Sequence, residues 1–293
     1  TPTNNGQIDL SYVRQVSQTI GDYIGATSKS VCVVIKSTVI PGTTSGLVRK
    51  IIEKSSNKQL GQFHLGMNPE FLREGNAVDD FINPDRIIIG YETYKTLSLL
   101  KELYEPWKVE KLAVNTKTAE LIKYANNMIL ATQISTINEI ANLASALGNI
   151  DCMDVVKGVQ LDKRWNPIIN GKRINPEILN YLIPGCGFGG SCFPKDINAL
   201  RVLGNDLNVE MRIADAVLDV NKKQPNQILK ILENELGDIS GRKILLLGLA
   251  FKPETDDTRE SPASKIVGEL IKKKSMVTAH DPVAIKNFKL NFK

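Results

Sequence analysis

The residues best placed to do chemistry lie in one stretch, Gly185-Cys186-Gly187-Phe188-Gly189-Gly190-Ser191-Cys192-Phe193-Pro194-Lys195-Asp196. Cys192 stands two residues before Pro194, and proline is favoured in a first helical turn, where its fixed φ is already helical and its missing N–H is not needed. A thiol just ahead of a helix N-terminus, with Lys195 close by, is placed where the thiolate and therefore nucleophilic attack are favoured. Cys186 has no such placement and is expected to be an inert packing residue. Gly185, Gly187 and Gly190 spell G-x-G-x-x-G, but Tyr181-Leu182-Ile183-Pro184 ahead of them is broken by proline. Without a strand leading into it, this is not expected to be a dinucleotide-binding turn. What remains is a loop whose bare backbone can approach a ligand closely.

Three further constellations carry chemistry. Asn68-Pro69-Glu70-Phe71-Leu72-Arg73-Glu74-Gly75 follows a predicted strand directly, and ligands of open α/β sheets bind at such strand ends. Glu70 and Glu74 could serve there as a base and as an anchor for polar ligand groups, or be plain surface charges. Lys123 and Asn127 are spaced i, i+4 and share one helix face, although a lysine within an apolar helix usually reaches out to solvent. Gly248-Leu249-Ala250-Phe251-Lys252-Pro253 and Asp256-Asp257-Thr258-Arg259-Glu260-Ser261-Pro262 form a charged loop between a predicted strand and helix. In it Phe251 could pack a base, and Lys252 and Arg259 could meet phosphate or carboxylate groups.

The elements that must position these residues read as α/β. Val31 to Ile35, Phe63 to Met67 and Arg86 to Gly90 are predicted strands with a helix after Pro41-Gly42. From Thr118 to Leu147 there is neither Pro nor Gly, and Ile122, Ala125, Ile129, Ile137, Ile140, Ala141 and Ala144 keep helical spacing. At 1.5 Å per residue this helix spans roughly 45 Å, a length that joins domains or builds a dimer core. Arg242 to Gly248 reads as a fully buried strand opening a second α/β unit, continued by a helix near Pro262 to Lys274 and a strand at Met276 to His280. The 293 residues, 42% hydrophobic, suffice for more than one core. No apolar run approaches the roughly 20 residues that cross a bilayer, so a cytoplasmic protein is expected. Four cysteines without a C-x-x-C pair and two histidines point to reduced thiols and no metal site. The net charge of +5 suits an anionic ligand, but runs such as Lys272-Lys273-Lys274 are commonly solvated helix ends.

Taken together and in this order, NPEFLREG, AELIKYANN, GFGGSCFPKD and GLAFKPETDDTRES resemble the signatures of the UDP-glucose/GDP-mannose dehydrogenase family. The likeness runs from Thr1-Pro2-Thr3 to His280-Asp281-Pro282. It implies Rossmann-like doubly wound domains flanking a long central helix and a helical dimerisation domain: 1–114 the later part of an NAD-binding domain, 115–220 the central domain with the catalytic cysteine, and 221–293 the start of a UDP-binding domain. It implies four-electron oxidation of a UDP-hexose, in which Cys192 captures the C6 aldehyde as a thiohemiacetal that becomes a thioester. Lys123 and Asn127 would steady the C6 oxygen, Asp196 and Thr38 help position water, and Glu70 act in thioester hydrolysis. Thr3, Thr38, Glu74, Lys195 and Arg259 would face NAD. Glu70, Phe71, Leu72, Arg73, Lys123, Asn127, Tyr181, Gly185, Phe188, Gly189, Phe251 and Lys252 would line the nucleotide-sugar pocket, with Arg173 extended toward the neighbouring subunit's site.

UDP-glucose is the expected substrate, with GDP-mannose open. The expected partners are this substrate and a second copy of the chain, with neither nucleic acid nor membrane. The family begins with a strand and a true G-x-G-x-x-G, which nothing before Thr1 supplies, and the second α/β unit stops after its second strand, so both outer domains read as truncated. A longer chain of which this is a part is the favoured reading, because the catalytic residues are all here. A non-catalytic remnant that dimerises through the long helix is the alternative.

Overall fold

The structure, a computed structural model, describes residues 3, 4 and 6–292. Thr1 and Pro2, where the family likeness begins, lie outside the described residues. The chain divides into two compact units, Thr1–Asn126 with Val202–Asn208, and Asn127–Arg201 with Val209–Lys293.

In the first unit a short hairpin, β1 (Thr3–Asn4) and β2 (Gln7–Ile8), precedes α1 (Ser11–Ala26). Four strands, β3 (Cys32–Ile35), β4 (His64–Met67), β5 (Arg86–Tyr91) and β6 (Glu110–Val114), make one sheet in that order. Between β3 and β4 a π-helical turn, Thr43–Val48, runs on into α2 (Arg49–Ser56). Val33, Phe63 and Leu65 pack with Ile24 of α1 and with Val48 and Ile52. In β5 the β-branched residues alternate: Ile87 and Ile89 pack with Leu100 of α4 (Tyr94–Leu103), whereas Ile88 packs with Met67 and Ala119. Both faces of the sheet are therefore covered, the doubly wound arrangement that the residue pattern implies.

The sheet is not uniformly parallel. β3 pairs with β4 and β5 with β6 in parallel, but β4 and β5 are antiparallel, with Gly66 opposite Tyr91. The connection between them carries only α3 (Ala77–Ile82), about 9 Å of helix, which is too short to bring the chain back for a parallel crossover. As a result the start of β5 and the exit of β4 lie at the same end of the sheet.

The long helix α5 (Thr116–Leu147) follows β6. Its burial departs from the expectation in an informative way. Glu120, Lys123, Asn127, Ser135 and Asn138 are buried, whereas Leu121, Ile129, Ile140, Leu143 and Leu147 are exposed. The polar stripe faces inward because each of its members has a hydrogen-bond or ion-pair partner.

The second unit continues with α6 (Cys152–Gln160), the hairpin β7 (Ile168–Ile169) and β8 (Lys172–Arg173), and a 3₁₀ segment, Glu177–Leu182. Helices α7 (Phe193–Asp206) and α8 (Arg212–Lys223) pack on α5 through Ala131, Phe188, Ile197, Ala214 and Val217. α9 (Pro225–Leu236) starts directly after Gln224, with proline at its first position. The chain closes with β9 (Lys243–Leu247), α10 (Pro262–Lys272), the parallel partner strand β10 (Met276–His280) and α11 (Ile285–Lys289). β9 was expected to be fully buried and is not, since Leu245 is 59% and Leu247 70% exposed. Within the described residues its sheet has two strands, and packing from α9 and α10 reaches Ile244 and Leu246 on one face.

Candidate functional site

In the first unit, the exit of β4 carries Asn68 to Glu74. Asn68 is buried and donates from Nδ2 to Ile88 O at 2.8 Å, while its Oδ1 accepts from Tyr104 Oη at 2.6 Å and from Lys36 Nζ. This anchors the turn that presents Glu70. Helix α5 runs back along β5, and the contact is close because Gly90 has no side chain: a Cβ there would meet Ala119 Cβ at 2.7 Å. Farther along, Arg86 at the start of β5 bonds Asn126 Oδ1 at 3.2 Å. Lys123 is thereby brought beside Glu70 at 3.3 Å, with its side chain 5% exposed. It does not reach out to solvent. The ring of Phe71 takes Arg86 at 4.2 Å and Lys123 at 5.4 Å from its centroid, both within the range of a cation–π attraction.

Glu120, one turn before Lys123, is fully buried and accepts the backbone N–H of Gly42 and of Thr44 at 2.8 Å from Thr44. Burial raises its carboxyl above the usual range, and the hydrogen bonds from Thr44 and Gly42 work against that rise. The carboxylate ties the turn after Thr38 to the helix that carries Lys123. Lys36 has its ammonium held below the usual range by loss of solvent, with Glu70 opposing.

In the second unit, Cys192 is exposed and stands immediately before the first residue of α7. Its carbonyl accepts the N–H of Asp196 at 2.8 Å, so helical bonding begins at the cysteine itself. Asp196, one turn later on the same helix face, is 1% exposed. Its carboxylate accepts Asn127 Nδ2 at 2.6 Å and pairs with Lys195. A thiol, a buried carboxylate and an ammonium thus lie within one turn at the start of α7, and Asn127 of α5 bonds the carboxylate. Cys186 is half-buried in the apolar cluster of Leu229 and Ile266, and burial pushes its thiol up, which fits a packing residue.

The glycine loop meets the 248–261 loop closely. Gly190 N bonds Arg259 O at 2.9 Å, and a Cβ on Gly189 would come within 2.4 Å of Glu260 O and 3.1 Å of Phe251 Cβ. Phe188, Gly189 and Phe251 are therefore neighbours. Lys252 stands over the Phe251 ring at 5.8 Å, and Arg259 pairs with Asp257 at 2.7 Å. The other anticipated residues have these placements. Arg73 pairs with Asp80 at 2.7 Å, Leu72 is exposed, and Arg173 in β8 donates to Asn166 O at 3.2 Å. Tyr181 packs toward Phe193, Gly185 is held by Asn138, and Thr3 lies in the first hairpin. Arg86, Glu120, Asn68, Asn138, Asn221 and Gln224 were not anticipated. Asn68 and Glu120 fall inside the motifs NPEFLREG and AELIKYANN, whereas no local pattern marks the other four.

A nicotinamide dinucleotide was expected, and the carboxyl ends of β3 and β4 suit part of it. Being parallel neighbours, the two strands bring Thr38, Glu70 and Glu74 to one edge, a hydroxyl and carboxylate set that fits ribose hydroxyls. Among the described residues no strand leads into a G-x-G-x-x-G turn for the phosphates. No helix of the described residues is long and apolar enough to cross a membrane.

Three sequence patterns of one family match the chain: the NAD binding domain over residues 1–108, the central domain over 117–223 and the UDP binding domain over 245–293. The UDP-glucose 6-dehydrogenase of Rickettsia conorii is 41% identical over 99% of this chain and 63% of its own length. UDP-glucose 6-dehydrogenase AglM of Haloferax volcanii is 37% identical over 99% of this chain and 66% of its own. The chain thus spans less than two thirds of these relatives. The solved UDP-glucose dehydrogenase of Pyrobaculum islandicum matches with a TM-score of 0.89 at 41% identity, over 99% of this chain and 63% of that one. UDP-D-ManNAc dehydrogenase of Pyrococcus horikoshii matches with a TM-score of 0.81 at 27% identity, over 97% and 64%. The chain belongs to the UDP-glucose/GDP-mannose dehydrogenase family.

Proposed function

We propose that the protein oxidises the C6 alcohol of UDP-glucose to a carboxylate in two NAD-dependent steps. The observation that carries this reading is Cys192, exposed at the start of α7 with Asp196, Asn127 and Lys195 bonded together one turn on. The chemistry that a bound nicotinamide dinucleotide supplies is acceptance of a hydride, once for each oxidation, near Thr3, Thr38, Glu74, Lys195 and Arg259. The chain's own residues do the rest. Lys123 and Asn127 stabilise negative charge on the C6 oxygen by charge and hydrogen bond. The Cys192 thiolate adds to the C6 aldehyde, and loss of a hydride from the thiohemiacetal leaves a thioester. Water positioned by Asp196 and Thr38, with Glu70 taking its proton, cleaves the carbon–sulfur bond and releases the acid and the thiol. Phe71, Leu72, Arg73, Tyr181, Gly185, Phe188, Gly189, Phe251 and Lys252 hold the nucleotide sugar, and Arg173 serves the neighbouring subunit.

The names of the first relatives favour UDP-glucose over GDP-mannose. We assign 1–114 to dinucleotide binding, 115–220 to the catalytic core and 221–293 to UDP binding, and place the protein in the cytoplasm on the strength of its four free thiols. Helix α5 contributes the core of a homodimer, since it leaves Leu121, Ile129, Leu143 and Leu147 exposed along one side. Cys192→Ala should lower NADH production per folded enzyme by a factor on the order of 10³ or more, whereas Cys186→Ala should leave it within about threefold. A Cys192→Ala protein that keeps its turnover would end this mechanism.

A further inference from the structure

The loop Gly185–Gly190 belongs to no helix or strand, yet it cannot drift. Gly187 and Gly190 have φ of 97° and 78°, a region that glycine alone enters cheaply. Its backbone is instead bonded to amide side chains. Asn138 Oδ1 accepts Gly185 N–H at 2.8 Å, and Gln224 Nε2 donates to Gly185 O at 3.0 Å. Asn221 takes both polar groups of one residue: its Oδ1 accepts Phe188 N–H at 2.7 Å and its Nδ2 donates to Phe188 O at 3.0 Å. That double exchange is what a neighbouring antiparallel strand gives a hydrogen-bonded residue. Gln224 Oε1 is held in turn by Asn142 Nδ2 at 2.9 Å.

All three contacting amides are buried, at 1% for Asn138, 8% for Asn221 and 5% for Gln224. Buried amides add little net stability even when bonded, but apolar residues in their place would take away these partners of the Gly185 and Phe188 backbone. Their return is geometric, because directional hydrogen bonds admit one arrangement where an apolar contact admits several. The arrangement reaches the thiol through packing: Phe188 meets Phe193 edge-on at 5.8 Å, and Phe193 directly follows Cys192. Asn221 and Gln224 can act together because they lie i, i+3 at the junction of α8 and α9, where Gln224 keeps helical φ and ψ before Pro225.

We propose that Asn221 and Gln224, with Asn138, are positioning residues that clamp the glycine loop in the one conformation able to receive a nucleotide sugar beside Cys192. The binding part rests on the function proposed above.

The test uses Asn221→Asp, which keeps the acceptor and replaces the donor with an oxygen facing Phe188 O, and Gln224→Glu, which does the same at Gly185. Hydrogen exchange is read by mass spectrometry on peptides covering 185–192 and, as controls, on α1, α8 and α10. Each variant should speed exchange in 185–192 by about tenfold, as expected for a bonded pair turned repulsive, with the control helices unchanged. Alkylation of Cys186 by iodoacetamide should rise by a similar factor, with Cys32 and Cys152 at their original rates. The UDP-glucose concentration that half-protects Cys192 from alkylation should rise about tenfold. Unchanged exchange in 185–192, or acceleration spread evenly over the control helices, would overturn the clamp. Should both variants fail to fold, Asn142→Ala removes only the outer support of Gln224, and unchanged exchange at 185–192 in that protein overturns the clamp equally. Failure of UDP-glucose to protect Cys192 in the unsubstituted protein counts against the substrate reading alone.

Discussion

The pair of Lys123 and Glu70 is asymmetric, and the asymmetry has a measurable consequence. The lysine side chain is 5% exposed and the glutamate 29%, with 3.3 Å between Nζ and Oε1. At an effective dielectric constant of about 20, an attraction at that distance is on the order of 5 kcal/mol, and solvent at the exposed carboxylate removes roughly half of it. Glu70→Ala leaves the ammonium buried against the Phe71 ring without its carboxylate, so it should cost about 2 kcal/mol. Lys123→Met fills the same volume with apolar atoms and leaves a carboxylate that water can reach, so it should cost under about 1 kcal/mol. The double variant should resemble Lys123→Met alone, because the uncompensated charge is gone. The two tryptophans allow this to be read locally. Trp107 packs against Phe81 and Tyr104 in the first unit, and Trp165 belongs to the second. Urea unfolding followed by Trp107 fluorescence in a Trp165→Phe background reports the unit that holds the pair. A loss for Lys123→Met equal to or larger than that for Glu70→Ala, or additive losses in the double variant, would refute the reasoning.

Two further outcomes follow from the same physics. The carboxyl of Asp281 is held at about 2: burial opposes its ionisation, but the N–H groups of Leu249, Ala284, Val283 and Ala250 more than offset that. Since the folded value lies below the ordinary one of 3.8, its contribution is fully present above about pH 4 and is lost as the pH falls toward 2. Asp281→Asn should remove about 1–2 kcal/mol at pH 7, after allowance for screening, and flatten the acid limb of the second unit's unfolding curve followed by Trp165; an unaltered limb would refute it. Light scattering at micromolar concentration should give twice the 32.4 kDa mass of the chain, and Leu143→Asp with Leu147→Asp should return it to the single value without loss of helix content; a monomer before substitution would refute the α5 interface.

Local features of the chain determined much of this. Pro194 two residues after Cys192 marks the start of α7, which begins at Phe193, and the absence of Pro and Gly from 118 to 147 marks α5, observed from Thr116 to Leu147. Turns, helix starts and periodicity depend on neighbours a few residues away, so they can be read from sequence. The motif NPEFLREG likewise falls where it should, on the exit of β4. What tertiary structure alone decided is which face each element buries. Lys123 looked like a surface lysine until α5 packed along β5 over Gly90 and set it beside Glu70, and Asn127 found Asp196 across a wide gap in sequence. The same holds for Leu245 and Leu247, whose apolar character predicted burial although the described residues cover only the other face of their two-stranded sheet. The clamp of Asn138, Asn221 and Gln224 on the glycine loop is a further case, for an amide's partners are set by which distant backbone comes within about 3 Å of it, and periodicity carries no record of that.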